Sequence, residues 1–140
     1  PGVYCVKEIK QTGGVLLGDD VTIYVRPENG ISLEGGVTQL RATETGPFAG
    51  YMIVVATNYS GGGPASCKIN GNSYNIFQGS LFAPHCDVTV NGDSKTPDAG
   101  IDSQIIGYNV TIDGGAGLVI NYNADENPVI IDPPKVGVAK

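Results

Sequence analysis

Charged residues are scarce in this sequence, and most of the few present are acidic. They make up 16% of the chain, against roughly a quarter in typical globular domains. Eight Lys and Arg residues oppose fourteen Asp and Glu residues, so the formal net charge is −6. Binding to nucleic acid or to an anionic membrane surface needs a basic patch, so we predict neither partner.

Residues typical of catalytic and metal sites are also few. His85 is the single histidine, and on an extended segment it would point away from Cys86, so we expect a surface loop residue rather than a Cys–His pair. The three cysteines contain no C-x-x-C pair and no zinc-ligand spacing. Acidic pairs fall only in expected turns or loops, at Asp19 with Asp20, Asp98 with Asp102, and Asp125 with Glu126. We therefore predict a protein that is not an enzyme and that uses no cofactor or metal.

Long apolar runs are absent as well. No stretch of about 18 apolar residues occurs, so we predict no membrane insertion within this chain. The sequence has no initiator methionine or signal peptide and opens with the strand-like PGVYCV, which indicates a mature or truncated product.

Glycine and strand-favouring residues, in contrast, are abundant. The 140 residues include 21 Gly and 9 Pro, and 41% of the chain is apolar, which is enough for one domain with a buried core. Short runs rich in Val, Ile and Thr alternate with Gly, Asn and Asp, a pattern typical of strands joined by tight turns. The composition predicts an all-β fold.

Five of these β runs end in similar glycine-containing turns. The first glycine of each turn is Gly13, Gly35, Gly71, Gly92 or Gly114, with successive spacings of 22, 36, 21 and 22 residues. The long interval contains an evident loop, TNYSGGGPA, at Thr57–Ala65. Short β runs that recur about every 22 residues predict a β-solenoid.

Each repeat divides into three β runs, because another run precedes each turn motif and a third follows most of them. The preceding runs are Val3–Val6, Val21–Val25, Tyr51–Val55, Ser80–Ala83 and Gln104–Tyr108. The following runs are Val15–Leu17, Thr38–Leu40, Tyr74–Phe77 and Leu118–Tyr122. The fourth repeat has SKTPDAGID (Ser94–Asp102) at this place, which we interpret as a loop.

Three runs per repeat predict a single-domain parallel β-solenoid with three faces and about five coils over residues 1–123. Alternation of apolar and polar residues in Val21–Val25 and Val88–Val90 is expected to send every second side chain inward. The alternative is an antiparallel sandwich, with Asn91-Gly92 and Asp113-Gly114 as hairpin turns.

Two covalent features depend on this arrangement. Cys67 and Cys86 fall near the same corner of adjacent predicted coils, so a disulfide is plausible and would imply an extracellular setting. Otherwise both are small buried apolar residues, as we expect for Cys5. Asn58 and Asn109 each begin an N-x-S/T triplet and are candidate glycosylation sites, although such triplets also arise by chance in a chain rich in Asn, Ser and Thr.

Several segments are similar, in order and spacing, to one bacterial protein family. GVYCV, GVTIYV, GPFAGYMIVV, KINGNS, GSLFAP and DSQIIGYNVTIDGGAGLVINYN succeed one another over about Pro1 to Tyr122. The sequence resembles the C-terminal region of TadG-like proteins, which are associated with Tad (Flp) pilus assembly. The resemblance implies a bacterial cell-surface module with a parallel β-solenoid fold and no known catalytic site.

Residues 124–140 are expected to leave the solenoid as an extended tail that contains Pro133-Pro134. An apolar arm beside an uncapped solenoid end favours strand addition to another copy, and head-to-tail contacts of this kind generate filaments. The alternative is that the tail caps its own coil. The candidate interface residues are Val3, Tyr4, Val6, Val129, Ile130, Ile131, Val136 and Val138.

We therefore predict a non-enzymatic, extracellular or cell-surface structural protein that forms a homopolymeric filament. The alternative is a monomeric adhesion module that binds glycans. Its binding face would include Tyr51, Tyr59 and Tyr74 near the glycine-rich loop.

Overall fold

The computed structural model describes residues 1–26, 30–56, 63–72, 75–93, 100–102, 104–113, 119–122 and 124. These residues form β-strands and no α-helix, so the all-β prediction is confirmed. No helix among them is long and apolar enough to cross a bilayer. The strands are β1 (Gly2–Val6), β2 (Ile9–Gly18), β3 (Val21–Val25), β4 (Ile31–Arg41), β5 (Tyr51–Val55), β6 (Ala65–Asn72), β7 (Ile76–Gln78), β8 (Ser80–Asp93), β9 (Gly100–Asp102), β10 (Ile105–Asp113) and β11 (Val119–Asn121).

All pairings between the described strands are parallel, and they join the strands into one sheet. The antiparallel sandwich is therefore wrong. At the supposed hairpin Asn91-Gly92, strand β8 does not fold back; its residues Cys86–Asp93 run alongside Ala65–Asn72 of β6.

The pairings arrange the strands in three series. The first series contains β1, β3, β5, and the beginnings of β8 and β10. The second contains the beginnings of β2 and β4, then β6, and the ends of β8 and β10. The third contains the ends of β2 and β4, then β7, β9 and β11. We call residues aligned in register across one series a row.

Two expectations about the third run and the turns are wrong. Gly100–Asp102, expected within a loop, forms β9 because β7 and β11 pair with it on its two sides; residues 94–99 lie outside the described residues. The glycine turns of the first two repeats do not end their strands. Instead β2 and β4 bend and continue, with Gly14 at φ 77° and Gly36 at φ 83°.

The long interval of the repeat has extra residues in two places rather than in one loop. Of the expected loop Thr57–Ala65, Ala65 already begins β6, and residues 57–62 lie outside the described part. Residues 42–50 form a second insertion that turns back on itself, because the Gly50 amide donates to the Thr43 carbonyl over 2.8 Å.

This insertion packs on the first series. The rings of Phe48 and Tyr24 meet edge to face, with centroids 6.3 Å apart. The Thr22 hydroxyl lies 3.5 Å from the Phe48 carbonyl oxygen and donates to the carbonyl of Tyr51 on β5 over 2.6 Å. Thr22 is consequently fully buried, although simple alternation along β3 places it opposite its buried neighbour Val21. The alternation holds in β8, where Val88 and Val90 are buried and Thr89 is partly exposed.

The core lies along rows of apolar side chains in the middle strands. The most buried members of the second series are Ile31, Leu33, Cys67, Ile69, Val88 and Val90. In the second series, burial ends at the last strand: Ile69 is 1% exposed, whereas Ile112, in the same row on β10, is 57% exposed. The position of a strand in its series therefore decides whether its apolar residues are covered.

Candidate functional site

Two edges of the sheet consist of strands that pair on one side only. β1 and β2 pair with β3 and β4 and with no other described strand; we call them the first edge. β10 and β11 pair with β8 and β9 alone among the described strands, and we call them the last edge. Such edges present backbone donors and acceptors that can pair with another strand.

The first edge exposes a concave apolar surface. Leu17 is 66% exposed, and Val3, Tyr4 and Val15 are similarly open to solvent. A groove of about 620 Å³ lies here, lined by Tyr4, Val6, Leu16, Leu17, Ile23 and Leu40 among others. Three expected interface residues, Val3, Tyr4 and Val6, thus lie together at this edge. The five others, Val129, Ile130, Ile131, Val136 and Val138, lie outside the described residues.

The last edge also exposes apolar side chains. Tyr108 is 65% exposed, and Val110, Ile112, Ile120 and Tyr122 are exposed as well. Val110 and Ile112 belong to rows whose members on β6 and β8 are buried. They are core positions without a covering strand among the described residues.

Polar side chains form stacked contacts on the outer surface of the same strands. The Asn109 amide donates to the Asp87 carboxylate over 2.7 Å, and the Asn121 amide donates to the Asp102 carboxylate over 3.2 Å. In the third series, the Arg41 guanidinium donates to the Gln78 side-chain oxygen over 3.0 Å and lies 3.9 Å from an Asp19 carboxylate oxygen. Two rows on the outer surface therefore carry complementary polar groups on successive strands, the row of Asp87 with Asn109 and the row of Arg41, Gln78, Asp102 and Asn121.

Cys67 and Cys86 come together in the interior, where the structure joins them in a disulfide with their Cα atoms 5.7 Å apart. Both side chains are fully buried, on the adjacent strands β6 and β8. Cys5, predicted from the sequence to be buried, is exposed on β1, because Tyr4 and Val6 line the groove and Cys5 between them faces the opposite side of the strand.

Thiol counting tests this disulfide. In denaturant without reductant, we expect one cysteine, Cys5, to react with a thiol reagent, and all three to react after reduction. Mass spectrometry of protein made in an oxidising compartment gives the count. Reduction is expected to lower the free energy of unfolding by about 3 kcal/mol, since the bridge closes a loop of moderate length. Three reactive thiols before reduction would contradict the pairing.

The residues considered for catalysis and metal binding do not converge. His85 lies within β8 rather than in a loop, with its side chain exposed while Cys86 is buried. Asp19 is next to Arg41, and Asp20 adopts a positive φ of 56° at the turn between β2 and β3. No three His, Cys, Asp or Glu side chains in the described part of the chain are grouped so as to hold a metal ion. Asp98, Asp125 and Glu126 lie outside that part.

The proposed glycan-related residues are also placed separately. Asn109 is exposed on β10, and its amide is bonded to Asp87. Tyr51 packs edge to face on Phe82, with ring centroids 5.8 Å apart. Asn58, Tyr59 and Tyr74 lie outside the described residues.

Sequence reasoning missed most of the two edges. It does not identify Val15, Leu17, Tyr108, Val110, Ile112, Ile120 or Tyr122 as edge residues, and it does not place Asn121 or Asp19 at an edge. The repeat held the necessary signal, because the first and last members of an aligned series of strands have a neighbour on one side only.

The comparisons with known proteins add no relative. Neither family models, curated protein sequences nor solved structures match this chain.

Proposed function

We propose that the chain forms a three-faced parallel β-solenoid with about five coils. The support is the order in which the chain visits the three series. It passes from the first to the second to the third series five times between β1 and β11, and it returns to the first series after each of the first four passes. A chain that coils around one interior produces this order, and each return adds one strand at about 4.8 Å to every face.

The solenoid is, in this proposal, a structural subunit of an extracellular or cell-surface filament without enzymatic activity. The observation that carries it is the presence of two parallel edges that pair with no further strand among the described residues and that expose apolar side chains, among them Tyr4 at the first edge and Ile112 at the last. A heterologous contact between unlike edges does not close on itself and therefore extends indefinitely.

Stacking of copies would extend the interior rows. The first edge of the next copy would cover Val110 and Ile112, just as β10 covers Val88 and Val90 within the chain. Burial of apolar surface stabilises by about 25 cal/mol per Å², and the backbone groups of both edges would become paired. The tail, residues 124–140, would add a further contact through its apolar runs.

The resemblance to TadG-like proteins and the buried Cys67–Cys86 pair support a bacterial surface location, since disulfides persist in oxidising compartments. A monomeric glycan-binding module is the second candidate. It has less support, because Tyr51, the one candidate aromatic residue in the described part of the chain, packs on Phe82.

Electron microscopy of the purified 140-residue chain tests the filament, beside a version that ends at Asn123. We expect filaments from the full chain. Their loss on truncation would show that the tail joins the subunits, whereas longer or faster-growing filaments would show that it caps the last edge. A full chain that stays folded and monomeric at high concentration would overturn the proposal, and glycan binding would then be tested.

A further inference from the structure

We propose that successive copies stack in a single register, in which Asn109 and Asn121 of one copy donate hydrogen bonds to Glu8 and Asp19 of the next. This inference rests on the proposed filament and specifies its junction. Its basis is the set of rows that the chain's own strands already form.

The first contact follows from the second series. One row of this series contains Ile9, Ile31, Cys67, Val88 and Val110. The residues immediately before its first and last members are Glu8 and Asn109, and both side chains are exposed. A copy added at the last edge with the same register places its Ile9 beside Val110, and therefore its Glu8 beside Asn109.

The second contact follows from the third series. One row of this series contains Gly18, Leu40, Phe77, Ile101 and Ile120. The next row along the strands contains Arg41, Gln78, Asp102 and Asn121, and the ion pair between Arg41 and Asp19 places Asp19 at its beginning. Continuation of this register places Asp19 of the added copy beside Asn121.

The chemistry of both contacts is already present within the chain. Asn109 donates to Asp87 and Asn121 donates to Asp102, in each case from one strand to the carboxylate of its neighbour. A carboxamide nitrogen carries two N–H donors, so each asparagine can bridge a carboxylate on either side. Hydrogen bonds to a charged acceptor are stronger than those between neutral groups.

These contacts also give the junction a direction. The last edge supplies the amide donors Asn109 and Asn121, whereas the first edge supplies the carboxylate acceptors Glu8 and Asp19. Two first edges brought together would offer carboxylates to carboxylates at these positions, without the amide donors. The complementarity is therefore head to tail, which is the arrangement that propagates a filament.

Paired cysteine substitutions test the register. In a Cys5→Ser background, the two in-register variants are N109C with E8C, and N121C with D19C. The crossed controls use the same four exposed positions as N109C with D19C, and N121C with E8C. Glu8 and Asn109 of one chain are four strand spacings apart, about 19 Å, so a disulfide between them must join two copies.

We expect the in-register variants, oxidised as filaments, to give a ladder of covalent oligomers on a non-reducing gel. The crossed variants are expected to give no such ladder. The proposed register would be overturned by filaments in which the crossed pairs link as well as the in-register pairs, or in which no in-register pair links. In either case the proposed filament itself would not be contradicted. If the unmodified chain and the Cys5→Ser chain form no filaments, both the register and the proposed function are overturned.

Discussion

Replacing Gly36 by alanine is expected to destabilise the fold by about 2–5 kcal/mol, combining a strained backbone with overpacking. Gly36 has φ 83°, a conformation that side chains disfavour, at the bend in β4. An added Cβ would overlap the carbonyl oxygen of Gly14 on the neighbouring strand and would lie 2.7 Å from the Gly13 carbonyl carbon. Because both obstacles are backbone atoms in paired strands, no side-chain rotation can relieve them.

Urea unfolding followed by circular dichroism measures this effect. Gly13→Ala is the matched control, since Gly13 occupies the equivalent bend of β2, has no positive φ and has no atom within 4 Å of an added Cβ. We expect the control to change the free energy of unfolding by less than about 0.5 kcal/mol. Equal stability of the two variants would show that the bends of β2 and β4 do not stack as described.

Replacing Ile69 by alanine is expected to lower the free energy of unfolding by about 2–5 kcal/mol. Ile69 is 1% exposed in the middle of the second series, between Leu33 on β4 and Val90 on β8. Its truncation removes buried methyl groups and leaves a cavity that the two paired neighbours cannot fill without shifting backbone.

Ile112→Ala removes the same atoms from the same row at the last edge, where the side chain is 57% exposed. At concentrations where the protein is monomeric, we expect this variant to lose less than about 1 kcal/mol of unfolding free energy, because little of the apolar area of Ile112 is buried. Chemical unfolding of both variants gives the comparison. A loss at Ile112 as large as that at Ile69 would mean that the last edge is already covered in the monomer.

Much of the fold follows from local sequence signals. The turn glycines at spacings near 22 residues predict the alignment of Cys67 with Val88 and of Val88 with Val110, because a repeated turn brings equivalent residues to adjacent strands. The sequence around β9 contains no regularly spaced turn glycine that would predict a strand there. Its three residues, Gly100–Asp102, become a strand because β7 and β11 provide hydrogen-bonding partners on both sides.

The candidate site was less predictable than the fold. Val3 and Tyr4 stood out because they are apolar and close to the beginning of the sequence. The polar contacts have no comparable signal, because the sequence marks Asn109 only as a glycosylation candidate and Asp19 only as a member of an acidic pair. Which residues share a row depends on the lengths of the insertions between strands, and residues 42–50 and 57–64 interrupt the regular interval in the middle of the chain.

The sequence by itself determined the all-β class and the parallel pairing, since β propensity, alternation and regularly spaced glycines are local properties that recur along the chain. Tertiary structure alone decided which of these strand residues are buried. Ile69 and Ile112 have the same side chain and lie in the same row, yet among the described strands Ile69 has a neighbour on both sides and Ile112 on one side only. Thr22 is polar, yet it is buried because residues 42–50 fold over β3, with Phe48 against Thr22 and Tyr24. Local alternation indicates which side of β8 faces inward, but burial also requires neighbours that are distant in sequence, and the local pattern does not specify them.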